Sequence, residues 1–195
     1  MITAQEVKKL RDRTGASMIQ CKKALEESAG DIKKAIAIMQ KSGSKVADKK
    51  CGRDTAEGYI GSYIHSNGKV GVLVEINCET DFVAKNEEFR ELAHDLAMHV
   101  AAAKPKYIDY KEIDPEIISL KKKDVEEEVK KENKPESIAE KIVEGKVKKH
   151  FDELCLANQS FVKNPDITVE QLITEKIAKL GENIKINRIT RFEIG

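Results

Sequence analysis

The chain has 195 residues, of which 40% are hydrophobic and 35% are charged, and its 35 basic and 34 acidic side chains give a net charge of +1. No apolar run approaches the roughly 20 residues that a membrane-spanning helix needs, and the first residues resemble neither a signal peptide nor a transit peptide. The balanced charge lacks the basic excess that is typical of nucleic-acid-binding proteins. We therefore expect a cytoplasmic protein that has neither nucleic acid nor a membrane as a direct partner.

The first 43 residues predict a bundle of three short helices. Thr3 with Glu6, and Ser17 with Gln20, have the spacing of capping boxes, in which each side chain of the pair bonds the other residue's backbone N–H. The short segments "TGA" and "AGD" connect the helices. We predict a small domain of the ubiquitin-associated shape over residues 1–43.

Residues 57–195 predict an α+β core domain, which follows a linker of small, polar and basic residues over 44–56. Two strand patterns flank Asn67 and Gly68, a pair that suits a type I′ hairpin turn because both positions of that turn need a positive φ. A third strand pattern, "NIKINRITRFEIG", ends the chain. We predict a three-stranded antiparallel sheet with helices on one side, and we regard this core as the dimerisation domain.

A charged helical hairpin is predicted within the core, over residues 115–156. Pro115 and Pro135 each suit the first turn of a helix. Two helices joined by a few residues pack antiparallel. Since the first helix is too charged to be buried, we expect the hairpin to project.

The cysteines and histidines form no pattern that is typical of a catalytic or metal site. None of the four cysteines lies in a C-x-x-C pair or at metal spacing from a histidine. No H-E-x-x-H, P-loop, G-x-G-x-x-G or G-x-S-x-G motif occurs. The sequence therefore predicts no enzyme, no metal site and no cofactor.

The segment "CETDFVAKNEEF", residues 78–89, places an aromatic ring beside a carboxylate in what should be a connection between a strand and a helix. On pattern alone, Thr80 caps a short helix, Asp81 favours its positive end and Phe82 folds back into the core. The residues alone favour this interpretation.

Taken together, several segments resemble the elongation factor Ts family, the bacterial guanine-nucleotide exchange factors for elongation factor Tu. The strongest are "LRDRTGASMIQCKKALEESAGDIKKAI" and "NCETDFVAKN", to which "MHVAAAKP", "IAEKIVEGKVKK", "QSFVKN" and "KLGENIKINR" add. Their order extends the resemblance over nearly the whole chain, whose length is that of the short family members. Short members act as dimers, so the resemblance implies a homodimer in a 2:2 complex with elongation factor Tu.

The resemblance also implies a role for the segment at residues 78–89. Asp81 and Phe82, flanked by Thr80 and Val83, would insert between two helices of the partner's GTPase domain and disturb its magnesium and phosphate site. We call these four residues, Thr80, Asp81, Phe82 and Val83, the exchange wedge. The implied protein promotes GDP release by binding and has no catalytic residues of its own.

Six residues outside the exchange wedge match positions at which the family contacts its partner: Lys8, Arg11, Met18, Ile19, His99 and Gln159. The resemblance assigns Gln159 to a β-barrel domain of the partner and Lys8, Arg11, Met18 and Ile19 to the GTPase domain. It places His99 at the partner without specifying the domain. Met18 is equally a core residue, and Lys8 and Arg11 are equally solvated surface. At His99 the pattern alone favours a capping or half-buried histidine, and the resemblance adds the contact with the partner.

Two other functions remain open on the sequence. One is a scaffold whose N-terminal bundle binds ubiquitin-like folds and whose core sheet dimerises. The other is a nucleic-acid accessory factor that uses the basic residues between Lys45 and Arg53. Only the exchange-factor interpretation gives the segment "TDFVAKN" a role.

Overall fold

The computed structural model describes residues 2–131 and 136–195. Groups of helices and groups of strands follow one another within these residues, as in an α+β fold. In chain order the elements are α1 (Ala4–Thr14), α2 (Met18–Glu27), α3 (Ile32–Asp48), β1 (Glu57–Ile64), β2 (Val70–Cys78), α4 (Asp81–Ala84), α5 (Glu87–Ala103), α6 (Pro115–Lys131), α7 (Glu136–Leu154), β3 (Ser160–Phe161), β4 (Asn164–Thr168), α8 (Val169–Leu180) and β5 (Lys185–Glu193).

The N-terminal helices α1, α2 and α3 enclose a small apolar core. Both predicted capping boxes are confirmed: the Glu6 carboxylate accepts from Thr3 N at 2.7 Å, and the Gln20 side chain accepts from Ser17 N at 3.1 Å. Six buried side chains fill the space between the helices: Val7, Leu10, Cys21, Ala24, Leu25 and Ala35. The likeness to a ubiquitin-associated domain stays a prediction.

Residues 44–48, which belong to the predicted linker, are helical because α3 continues to Asp48. A Cβ atom at Gly43 would meet Ala178 Cβ at 3.7 Å and Thr174 Cγ2 at 3.8 Å. The small side chains of this Ser-Gly-Ser stretch therefore let α3 lie close to α8. We attribute the longer helix to this packing, which offsets the low helix propensity of the stretch.

Strands β1, β2 and β5 form the predicted three-stranded antiparallel sheet, in the order β1-β2-β5. A Cβ atom at Gly61 would lie 2.5 Å from the carbonyl oxygen of Ala93, so α5 runs directly over β1 and only glycine fits there. Helix α5 is buried along one side through Phe89, Leu92, Ala93, Leu96, Ala97 and Val100.

The hairpin turn between β1 and β2 differs from the predicted type I′ turn. Gly68 has a φ of 68°, whereas Asn67 does not have a positive φ. Gly68 N donates to His65 O at 2.8 Å, and His65 N donates to Val70 O at 2.9 Å. These bonds suit a type I turn followed by a left-handed glycine, so one residue rather than two takes the left-handed conformation.

Helices α6 and α7 pack together as the predicted hairpin. Their buried cluster consists of Ile113, Val125, Val129, Val143, Val147, Phe151 and Cys155. The connection between them, with the predicted helix start at Pro135, lies outside the described residues. No helix in the described ranges carries an apolar stretch long enough to cross a bilayer.

Strands β3 and β4 pair as a small antiparallel sheet, with Phe161 opposite Asn164. The sequence pattern does not predict this pairing. Pro165 lies within β4, and a proline lowers the expectation of a strand because it cannot donate to a neighbouring strand.

The chain divides into two compact units. The first contains Met1–Tyr59, Ile76–Arg90 and Gln171–Lys185; the second contains Ile60–Glu75, Glu91–Glu170 and Ile186–Gly195. The N-terminal helices, the exchange wedge and most of α8 thus belong to one unit. The division of the chain into domains at residues 43 and 57 stays a prediction.

Candidate functional site

The exchange wedge lies at the end of β2, where Thr80 caps the short helix α4. The hydroxyl oxygen of Thr80 accepts from Val83 N at 3.4 Å. Val83 is 5% exposed and Ala84 is also buried, whereas Phe82 is 79% exposed. A helix of four residues has one face to bury, and because Val83 and Ala84 occupy it, Phe82 points to solvent. The cap at Thr80 is confirmed, and the interpretation of Phe82 as a core residue is wrong.

Asp81 is exposed and forms an ion pair one helical turn along the chain. Its Oδ2 lies 2.7 Å from Lys85 Nζ. The hydrogen bond from Lys85 lowers the pKa of Asp81, and the same bond raises the pKa of Lys85. Two exposed partners contribute little to stability. Asp81, an exposed carboxylate with a lowered pKa, is ionised at neutral pH and directly precedes Phe82 in the sequence.

The backbone just before α4 is bound by Glu182, which follows α8. Glu182 Oε2 accepts from Glu79 N and from Thr80 N, each at 3.0 Å, and Oε1 accepts from the Thr80 hydroxyl at 2.6 Å. One carboxylate thus accepts three hydrogen bonds from two consecutive residues.

The Glu79 side chain in turn binds the backbone that follows Glu182. Its Oε1 accepts from Asn183 N at 2.7 Å, and its Oε2 lies 3.2 Å from Arg53 Nη1. These donors lower the pKa of Glu79, with the Asn183 backbone N–H as the largest cause. The Asn183 side chain donates to Arg53 O at 2.9 Å. Residues 79–80 and 182–183 are therefore joined by two carboxylates, one from each side.

The four predicted contact residues in α1 and α2 are all exposed. Ile19 is 81% exposed and Met18 is 41% exposed, so Met18 is not a core residue. Lys8 and Arg11 lie on the exposed side of α1. Arg11 and Met18 line a cavity of about 860 Å³ within the first unit, to which α3 and α8 contribute the other walls. Their contact with a partner stays a prediction.

His99 and Gln159, also predicted as contacts, meet in the interior of the second unit. His99 Nε2 lies 3.0 Å from Gln159 Oε1, and Val162 N donates to His99 Nδ1 at 3.3 Å. Because Nδ1 accepts, Nε2 carries the proton and donates to Gln159. Burial lowers the pKa of His99. Both side chains are buried and hold the segment at Val162. Their contact with a partner stays a prediction.

Sequence reasoning missed Glu182, Glu79 and Asn183 as parts of the site. Glu182 and Thr80 are 102 residues apart, so no local spacing connects them. The available signal was the placement of Glu182 and Asn183 directly after Gly181, which ends α8 with a φ of 79°. Polar side chains at a fixed helix end can bind backbone from elsewhere in the chain.

The site presents an aromatic ring and a carboxylate on a short, supported turn, an arrangement that suits insertion into another protein. No group of three or more His, Cys, Asp or Glu side chains is placed to hold a metal ion in the part of the chain that the structure describes.

The comparison with known proteins covers the whole chain. The family model described as Elongation factor TS matches residues 3–195. Proteins named Elongation factor Ts from Carboxydothermus hydrogenoformans and Thermosipho melanesiensis are 54% and 52% identical over 195 residues, covering 100% of this chain and 90% and 100% of the relatives. That of Thermodesulfovibrio yellowstonii is 54% identical over 194 residues, with 100% of this chain and 96% of the relative covered. The chain therefore belongs to the elongation factor Ts family of translation elongation factors.

Proposed function

We propose that the chain is a guanine-nucleotide exchange factor that binds elongation factor Tu in its GDP form and promotes GDP release during translation elongation. The observation that carries this proposal is the exposure of Phe82, at 79%, beside the ionised Asp81. A large aromatic side chain held out on a rigid turn is typical of an anchor residue at a protein interface. Membership of the elongation factor Ts family supplies the partner.

The exchange wedge would act by favouring the nucleotide-free state of the partner. A GTPase holds its nucleotide through phosphate-loop amides, a lysine and a magnesium ion. Phe82 would separate two helices of the GTPase domain, and Asp81 would rearrange the surroundings of the magnesium ion. A ligand shifts an equilibrium only by its difference in affinity for the two states. The exchange factor therefore performs no covalent step.

The size of the effect requires contacts beyond Phe82. Burying one phenylalanine side chain provides ~1.5–3 kcal/mol. A tenfold change in rate needs ~1.4 kcal/mol, so Phe82 alone accounts for about tenfold to a hundredfold. The exposed residues of α1 and α2, Lys8, Arg11, Met18 and Ile19, would supply further contact area. Val83 would support the turn from within.

A homodimer, in a 2:2 complex with the partner, is supported by the second unit. In β1, Ile60 and Ile64 are exposed on the face opposite Gly61, which lies against α5. In β2, Leu73 is exposed between two buried valines, as the alternation of a strand requires. Phe192 in β5 and Ile194 just after it are exposed as well. We propose that a second copy of the chain covers these apolar side chains.

The exchange function is tested by the release of a fluorescent GDP analogue from elongation factor Tu. The intact chain should accelerate release, and Phe82→Ala should slow the accelerated rate at least tenfold, which corresponds to ~1.4 kcal/mol. Leu120→Ala removes another exposed apolar side chain, from α6, and serves as the matched control. Equal rates for the two variants would contradict the proposal.

The dimer is tested separately by light scattering on the chain alone and with its partner. Leu73→Glu places a charge in the proposed contact without touching the exchange wedge, and it should yield a monomer. A variant that keeps the mass of the dimer would exclude this face as the contact.

A further inference from the structure

The start of α4 is fixed by a residue from a distant part of the chain. The first N–H groups of a helix have no partner within the helix and need other acceptors. Here the Thr80 hydroxyl serves Val83 N, while the carboxylate of Glu182 takes the N–H groups of Glu79 and Thr80. These bonds hold both the end of β2 and the first residue before α4.

The Thr80 hydroxyl connects Glu182 to α4. Its proton is donated to Glu182 Oε1 at 2.6 Å, which leaves an oxygen lone pair directed at Val83 N. A hydrogen bond to an ionised acceptor is shorter and about twice as strong as one between neutral groups. The orientation of the cap therefore depends on the negative charge at position 182.

Glu182 is itself well anchored. Gly181 ends α8 in a left-handed conformation, and the Lys50 ammonium donates to Gly181 O. Asn183 N donates to Glu79, so residues on both sides of Glu182 are tied to other parts of the first unit. Phe82, by contrast, is 79% exposed and has little packing of its own. The direction in which its side chain leaves the chain is therefore set by the backbone of α4.

We infer that Glu182 is a positioning residue for the exchange wedge: its carboxylate fixes the cap at Thr80 and so holds Phe82 and Asp81 ready for insertion. Glu182 acts through these residues and does not itself need to touch the partner. This inference rests on the proposed exchange function.

The test is a double-mutant cycle on GDP release from elongation factor Tu. It compares the intact chain, Glu182→Gln, Phe82→Ala and the double variant. Glu182→Gln keeps the shape but loses the charge, and it should slow release about three- to tenfold. In the Phe82→Ala background the same substitution should slow release by a clearly smaller factor, because the ring is gone and only Asp81 is left to position. Glu91→Gln, at an exposed carboxylate on α5, is the matched control and should have no effect.

Each other result overturns the inference in a distinguishable way. If Phe82→Ala slows release but Glu182→Gln does not, Glu182 positions nothing and the exchange function stands. If Glu182→Gln slows release equally in both backgrounds, its role is in general stability. If Phe82→Ala itself has no effect, the proposed function fails and the inference fails with it.

A second pair of variants keeps the test decisive if Glu182→Gln folds poorly. Thr80→Ser retains the hydroxyl that joins Glu182 to Val83, whereas Thr80→Val has the same shape without it. Thr80→Ser should keep more of the exchange rate than Thr80→Val, which should be slowed as Glu182→Gln is. Equal rates for the two Thr80 variants would contradict the inference, since the connection runs through this hydroxyl.

Discussion

Phe82 and Val83 are adjacent in the sequence and have opposite environments: Phe82 is 79% exposed, and Val83 is 5% exposed. The two residues therefore separate binding from stability. Phe82→Ala should change the free energy of unfolding by less than about 1 kcal/mol, because surface substitutions are usually mild. Val83→Ala removes two buried methyl groups and should lower the free energy of unfolding by about 2 kcal/mol.

Chemical denaturation of the two variants measures this difference, with GDP release measured on the same samples. We expect Phe82→Ala to be folded and slow, and Val83→Ala to be less stable but active per folded molecule. A large loss of stability in Phe82→Ala with normal release per folded molecule would place Phe82 in the core and remove the basis of the exchange wedge.

The ion pair between Asp81 and Lys85 should lower the pKa of Asp81 in solution. In Lys85→Met the main donor to Asp81 is lost, so the pKa of Asp81 should rise toward its usual value. Carbon-detected NMR titration of the side-chain carboxyl group measures this directly. Lys69→Met, at an exposed lysine on the β1–β2 hairpin, is the control. An unchanged Asp81 titration in Lys85→Met would show that the pair does not form in solution.

His99 should make the second unit sensitive to mild acid. Burial lowers its pKa below the usual 6.5, so between the folded-state pKa and 6.5 the unfolded chain binds more protons. The free energy of unfolding should therefore fall as the pH drops below 6.5, and His99 should contribute no pH dependence above that value. His99→Gln cannot take up this proton, so its stability should change less over the same pH range. Parallel pH profiles for the two proteins would contradict the buried, neutral His99.

The cysteines should differ sharply in reactivity. Cys51 is exposed, while Cys21, Cys78 and Cys155 are buried. Burial, with Glu182 nearby, raises the pKa of Cys78 to about 11, which suppresses the reactive thiolate at neutral pH. A thiol reagent should modify Cys51 rapidly in the native chain and the other three only on unfolding. Fast modification of the Cys51→Ser variant would show that the buried cysteines are accessible.

Local features of the fold were predictable from the sequence because their partners are close along the chain. The capping boxes at Thr3 and Ser17 join residues three apart, and both form. The hairpin at Gly68 was predicted correctly, but the type of its turn was not. The turn type depends on the φ angle of Asn67, which is not positive. Helix α3 extends beyond residue 43, the predicted end of the bundle, because it packs against α8, far along the chain.

The exposed residues of the site could be predicted from the sequence, whereas the residues that support them could not. The resemblance identified Phe82, whereas the pattern alone favoured a buried ring. Glu182 was not predicted because its partner, Thr80, lies 102 residues away in the sequence. His99 lies between the buried Leu96 and Val100 on α5, and the periodicity alone could not decide whether that edge of the helix faces solvent or the segment at Val162.

The central claim is tested most directly by measuring the affinity of this chain for elongation factor Tu with and without GDP and magnesium. Thermodynamic linkage requires that a factor which weakens GDP binding is itself bound more weakly in the presence of GDP, by the same ratio. We predict a clearly tighter complex with the nucleotide-free partner, with a ratio equal to that found for GDP affinity with and without the chain. Equal affinities in the two conditions would contradict exchange activity, because a ligand that binds both states equally shifts neither.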